Sequence, residues 1–208
     1  MDRERKFMGK CIKIKFCGLK QQAEVDFCTD YGVSYIGFVF YDKSPRNIST
    51  REFSLLKLQN APPVVAVFFN PTLEYIQSVV SCNRVDFLQI HGINIDDLAI
   101  QFIGKYKLIK PLTGMDFTTE EINQYNFYDY LLFDSQNAGS GDARDFSFAQ
   151  NLQKSKPFFL AGGINITNVQ EPLKYTNYID LSSGIENIKG QKSLIKMKEF
   201  IKALPKDT

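Results

Sequence analysis

Four side chains suited to proton transfer or anion recognition stand where short apolar runs end. Cys17 closes the run Ile12–Cys17, His91 closes Val85–His91, Asp134 closes Tyr130–Asp134, and Arg46 follows Pro45 just beyond Tyr35–Phe40. A thiol becomes a base or nucleophile when a neighbouring cation or helix N-terminus lowers its pKa. A carboxyl group emerging from an apolar run can be kept protonated by partial burial and then serve as an acid. Arg46 can offer its planar fork to a carboxylate or phosphate, and His91 can polarise or hydrogen-bond a substrate. Each also has a plainer reading: a small buried thiol, a loop or capping aspartate, a solvated arginine, a packed strand-end histidine. Local sequence does not choose between them.

Three glycine-containing segments follow in order: Gly139-Ser140-Gly141, Ala161-Gly162-Gly163 and Ser182-Ser183-Gly184. Glycine lets backbone approach a phosphate closely, and successive free amides form an anion nest. One such loop would say little. Three in succession after late strands favour a phosphate handle over three unrelated turns.

The elements that must position these groups alternate along the chain. β-branched and aromatic runs occur at Ile12–Cys17, Tyr35–Phe40, Val64–Phe69, Val85–His91, Tyr106–Leu112, Tyr130–Asp134, Phe158–Gly162 and Ile179–Ser183. Helices are expected at Gln21–Tyr31, Thr50–Leu58, Thr72–Ser81, Ile95–Ile103, Thr119–Gln124, Phe146–Lys154, Asn168–Tyr175 and Leu194–Leu204. Ser49 followed by Glu52 reads as a capping box, and Glu120 and Glu121 place acids in a first turn. Repeated βα units make a parallel sheet, and eight of them in this length predict a closed (β/α)8 barrel. An open doubly wound sheet would carry a Gly-x-Gly-x-x-Gly turn after its first strand, which is absent. The expected organisation is one α/β barrel domain over residues 11–208 behind an N-terminal extension, residues 1–10, in which Met1 to Met8 read as a frayed or tag-like end.

In such a barrel the chemistry sits at the carboxyl ends of the strands. Alternation along the first strand turns Lys13, Lys15 and Cys17 inward and Ile12, Ile14 and Phe16 toward the helices. Gln89 shares the inward face with His91 and reads as part of a polar interior.

Composition narrows the partners. The 208 residues are 44% hydrophobic and 23% charged with a net charge of +2, a globular balance that points to neither nucleic acid nor a disordered tail. No run reaches the roughly 18 apolar residues of a membrane span, and no signal-peptide core follows the charged start, so a cytoplasmic location is expected. The four cysteines, Cys11, Cys17, Cys28 and Cys82, are irregularly spaced and read as reduced thiols. With no Cys-x-x-Cys pair and a single histidine, a metal site is not expected.

Taken in order, these segments resemble the phosphoribosylanthranilate isomerase family of tryptophan biosynthesis over nearly the whole chain. Lys15-Phe16-Cys17-Gly18-Leu19 is similar to its Lys-Ile-Cys-Gly-Ile/Leu, and Ile36-Gly37-Phe38-Val39-Phe40 with Ser44-Pro45-Arg46 to its Ile-Gly-Phe-Val-Phe and Ser-Pro-Arg. Gln89-Ile90-His91-Gly92, Leu132-Phe133-Asp134-Ser135, Leu160-Ala161-Gly162-Gly163-Ile164 and Asp180-Leu181-Ser182-Ser183-Gly184-Ile185-Glu186 resemble four further family motifs. The resemblance implies an Amadori rearrangement with Cys17 as general base and Asp134 as general acid. It also implies substrate contacts from Arg46, His91 and Asp180, with Arg46 at the anthranilate end. Phosphate would be held at Gly139, Ser140, Gly141, Gly162, Gly163, Ser183 and Gly184. It implies a small-molecule substrate and no cofactor; monomer and homodimer both stay open.

Two departures stand out. The family's Gly-Gly-Thr-Gly-Lys loop reads Ala138-Gly139-Ser140-Gly141-Asp142, with an acid replacing lysine, and Lys20 replaces the threonine after the first motif. Asp142 keeps a second expectation open, a barrel that binds phosphate without turnover. A related histidine-pathway isomerase would carry an aspartate where this chain has Cys17.

Overall fold

The computed structural model of the chain describes residues 6–7, 9–113, 122–134, 146, 149–150 and 156–205. Eight strands pair in parallel and close into a barrel: β1 (Lys13–Cys17), β2 (Tyr35–Phe40), β3 (Val64–Phe69), β4 (Phe87–His91), β5 (Lys107–Thr113), β6 (Tyr130–Asp134), β7 (Phe158–Ala161) and β8 (Tyr178–Leu181). They follow one another around the barrel, and β8 returns to pair with β1 through Asp180 opposite Lys15. Every apolar run expected as a strand is one, with ends shifted by at most two residues. Because a parallel barrel strand is buried on both faces, it reads as an unbroken apolar run, as Val64–Phe68 does.

The two faces build two cores. Ile12, Ile14, Phe16, Phe38 and Phe40 face the helical layer, whereas Cys17, Val65, Val67, Ile109 and Leu132 fill the inside. The strand beginnings carry an aromatic floor of Tyr35, Phe87, Tyr130, Phe159 and Tyr178. The rings meet edge-on or tilted at 5.3 to 6.3 Å between centroids, the geometry aromatic quadrupoles prefer. That plug closes the amino end of the barrel and leaves the carboxyl end open for a site.

The described helices are α1 (Gln22–Asp30), α2 (Thr50–Ser54), α3 (Leu73–Cys82), α4 (Asp96–Ile100), α5 (Gln170–Leu173) and α6 (Leu194–Ala203). The capping box opens α2 as expected: Glu52 N–H donates to Ser49 Oγ at 3.2 Å and Ser49 N–H to Glu52 Oε2 at 2.9 Å. That helix stops well short of Leu58. Asn83 Nδ2 donates to the carbonyls of Phe53 and Leu56, and Arg84 Nη1 to those of Leu58 and Ala61, so side chains from before β4 satisfy the acceptors there. The helices expected at Thr119–Gln124 and Phe146–Lys154 fall largely outside the described residues. Among the described residues, no helix is long and apolar enough to cross a membrane.

Within the stretch expected to fray, Lys6–Phe7 pairs antiparallel with Lys10–Cys11. Gly9 takes the positive φ of 74° between them, and Asn177 Nδ2 holds the Cys11 carbonyl at 2.7 Å.

One charged cluster lies on the outside of the barrel. Lys110 Nζ sits 2.6 Å from Asp96 Oδ1 in the first turn of α4, Tyr128 Oη donates to the same oxygen at 2.5 Å, and the ammonium lies 4.6 Å above the Tyr125 ring.

Candidate active site

A cavity of about 620 Å³ opens at the carboxyl ends of the strands. Its lining brings together Cys17 from β1, Arg46 from the loop after β2, His91 from β4, Asp134 from β6, Gly162 and Gly163 after β7, Asp180 from β8 and Ser183 beyond it. These positions are spread over 167 residues of sequence, and barrel closure gathers them. Gly184 is not on the lining. A Cβ there would meet the Ile164 carbonyl oxygen at 2.0 Å, so its bare Cα lets the loops after β7 and β8 touch. Gly139, Ser140, Gly141 and Asp142 lie outside the described residues.

Cys17 is almost wholly buried, and the residue that governs its surroundings is Lys15, one inward position deeper on the same strand and fully buried. The Lys15 ammonium donates to Asp180 Oδ2 at 2.9 Å and Gln89 Oε1 at 3.0 Å, and its charge acts on the Cys17 thiol. Burial alone would lower its pKa, but Asp180 and Cys17 outweigh burial and raise it, so Lys15 stays charged. For Cys17 the balance is reversed. Burial pushes the thiol pKa up, and Lys15 and Lys192 pull it down only in part. The cations expected beside the thiol are therefore present, but desolvation outweighs them.

Gln89, 2% exposed, belongs to the polar interior as expected, and it carries a further consequence. An ammonium can only donate, so the amide oxygen must face Lys15; the amide nitrogen then donates to His91 Nε2 at 2.8 Å. His91 therefore keeps its proton on Nδ1. Burial and the Lys15 charge lower its pKa to about 4, which makes it a neutral imidazole at physiological pH. Asp180 presents its other oxygen, Oδ1, buried and with no protein partner among the described residues, beside the cavity it lines.

Arg46 is less free than its loop position suggested. Its Nε and Nη2 fork onto Glu186 at 2.7 and 2.8 Å. Glu186 also accepts from Lys192 Nζ at 2.6 Å. Burial would raise the Glu186 pKa, but Arg46 and Lys192 hold it below the usual range. The arginine stem crosses Gly18, where a Cβ would come within 2.8 Å of Arg46 Cδ and φ is +80°, so both space and backbone require glycine. Lys20, where the family resemblance has threonine, donates from Nζ to the Pro45 carbonyl at 3.2 Å and steadies the same loop.

Sequence reasoning missed Lys15, Glu186 and Lys192 as parts of this site. Lys15 had a usable signal, a cation on the inward face of a strand otherwise apolar on its outward face. Glu186 lay inside a recognised motif, whereas Lys192 carried no local mark.

A closed eightfold barrel with a thiol and a carboxyl group lining one cavity at the carboxyl ends of its strands has the architecture of an isomerase that works by proton transfer. The comparisons make the assignment specific. Residues 14–203 match the family model described as N-(5'phosphoribosyl)anthranilate (PRA) isomerase. A relative from Streptococcus mutans named N-(5'-phosphoribosyl)anthranilate isomerase is 36% identical over 199 residues, covering 93% of this chain and 99% of its own. One of the same name from Legionella pneumophila is 34% identical over 203 residues, covering 93% and 97%. Among solved structures, phosphoribosyl anthranilate isomerase from Thermus thermophilus superposes with a TM-score of 0.82 at 26% identity, covering 92% of this chain and 98% of that one. Another, solved in complex with reduced 1-(o-carboxyphenylamino)-1-deoxyribulose 5-phosphate, gives 0.74 at 25% identity, covering 92% and 97%. The chain belongs to the N-(5'-phosphoribosyl)anthranilate isomerase family.

Proposed function

We propose that the chain carries out the family's Amadori rearrangement, converting N-(5'-phosphoribosyl)anthranilate to 1-(2-carboxyphenylamino)-1-deoxyribulose 5-phosphate for tryptophan biosynthesis, with Cys17 as base and Asp134 as acid. The observation that carries these roles is the placement of Cys17 and Asp134 on one cavity. Protonated Asp134 gives its proton to the ribose ring oxygen as the ring opens to an iminium. The iminium charge acidifies the neighbouring sugar carbon, and the Cys17 thiolate removes its proton; tautomerisation of the enolamine completes the ketose. Lys15 and Lys192 against Asp180 leave one net positive charge acting on the sulfur, which a thiolate neutralises.

Gly162, Gly163 and Ser183, with Gly139, Ser140, Gly141 and Gly184, hold the phosphate through backbone amides. Arg46, oriented by Glu186, receives the anthranilate carboxylate. His91 and Asp180 Oδ1 contact the sugar. Holding both ends of the substrate converts binding into orientation for two proton transfers. We read residues 1–10 as an extension to the barrel domain of 11–208, and the cytoplasm as its place of action.

The test is the loss of anthranilate-type fluorescence when purified protein meets freshly generated substrate, beside Cys17→Ala and Asp134→Asn. Wild-type turnover with kcat reduced about 10²- to 10⁴-fold in each variant, product binding retained, is the expected result. Product binding by the wild type without turnover would instead make this a barrel that has lost catalysis.

A further inference from the structure

We propose that Lys15 is the positioning residue of this site: its ammonium, one inward position below Cys17, favours the loss of the thiol proton that a base requires, and through Gln89 it orients His91 with Nδ1–H as its donor. The part concerning catalysis rests on the reading of Cys17 as base.

The geometry leaves little slack. An ammonium has three protons; Lys15 gives two of them, to Asp180 from β8 and Gln89 from β4, and its charge acts on the Cys17 sulfur of its own strand. The wall that keeps lysine and thiol together is Gly37 of β2, directly across from Cys17 in register. A Cβ on Gly37 would lie 3.0 Å from Cys17 Sγ and 3.3 Å from Lys15 Cε, so even a methyl group there would press on both side chains. A fully buried lysine is costly to maintain, and an apolar replacement of a buried ion pair is often neutral or stabilising, so stability gives no reason for a charge here. A buried thiol that must release its proton supplies one.

The charged groups facing the sulfur are Lys15, Asp180 and Lys192; Asp134, Arg46 and Glu186 share its cavity. Asp180 opposes the effect of Lys15 on the thiol and Lys192 adds to it. Those facing His91 are Lys15 and, as hydrogen-bond partner, Gln89.

Ionisation of Cys17 is read from the pH dependence of its alkylation by iodoacetamide, resolved from the other three cysteines by peptide mass spectrometry. Lys15→Met is expected to move the midpoint up by about 1–3 pH units. In Lys15→Met/Asp180→Asn the opposing carboxylate is gone too, so its midpoint should fall between wild type and the single variant. The acidic limb of the kcat/KM profile should move the same way. Since the chain has one histidine, ¹⁵N NMR reports His91 without assignment, and in wild type it should show the Nδ1–H tautomer at neutral pH. A wild-type imidazole protonated on Nε2, or a thiol midpoint no higher in either variant, overturns the proposal; the first needs no variant to fold. Full turnover by Cys17→Ala would remove the base assignment and leave the effect of Lys15 on the thiol and His91 separately measurable.

Discussion

Lys15 and Lys110 are both buried lysines of one barrel, on opposite faces of its sheet. Lys110 lies outside the barrel in the helical layer; its carboxylate partner Asp96 is 42% exposed, and tyrosine rings cover the rest of the ammonium. Water still reaches that pair, and the contact pins β5 to α4. Lys15 lies inside, with no side-chain exposure, and its carboxylate partner is 9% exposed. The partners of Lys110 tie structural elements together, whereas Lys15 is held by an amide and a carboxylate and acts by charge on a thiol, all three lining the cavity. The same residue type acts as a clamp in one layer and tunes ionisation in the other. The difference follows from which groups each ammonium faces and how much water remains between them.

The strongest challenge to this contrast is Lys15→Met measured for stability. It leaves Asp180 as an uncompensated buried carboxylate and should cost about 3–5 kcal/mol in urea unfolding, most of it recovered in Lys15→Met/Asp180→Asn. A cost that persists in the double variant would make Lys15 a structural clamp like Lys110.

The next effect falls on pH dependence. His91, tied to Lys15 through Gln89, has a folded pKa of about 4 against an ordinary 6.5, so between these values the unfolded chain binds more protons. Stability should therefore be complete above about pH 6.5 and decline as pH falls toward 4, by roughly 2 kcal/mol for a half-buried group. Denaturation midpoints at pH 7 and 4.5 in wild type and His91→Gln isolate this contribution, because other acids titrate in both. Equal losses would show that the imidazole does not resist protonation.

The smallest effect belongs to the outer lysine. Lys110→Met should lower stability by about 1 kcal/mol, since Asp96 can turn to water, and leave kcat and the thiol midpoint unchanged. A changed kcat would carry the influence of the helical layer into the site.

Much of this was legible in the residues. The strands could be found because parallel barrel strands bury both faces, and Cys17, His91 and Asp134 could be placed because each ends such a run. The capping box at Ser49 and Glu52 was equally local. The length of α2 was not, because Asn83 and Arg84, about 30 residues downstream, satisfy the carbonyls near its end. The engagement of Arg46 by Glu186, 140 residues away, was hidden for the same reason.

The sequence by itself determined the alternation of buried strands and helices, the barrel it implies, and which polar residues stand at the strand ends, since periodicity and turn chemistry act between near neighbours. Only the tertiary structure decided that Lys15 meets Asp180 and Gln89, that burial outweighs two cations at Cys17, and that His91 is neutral with its proton on Nδ1. Those outcomes depend on desolvation and on charges brought together from opposite ends of the chain, and neither exists until β8 closes against β1.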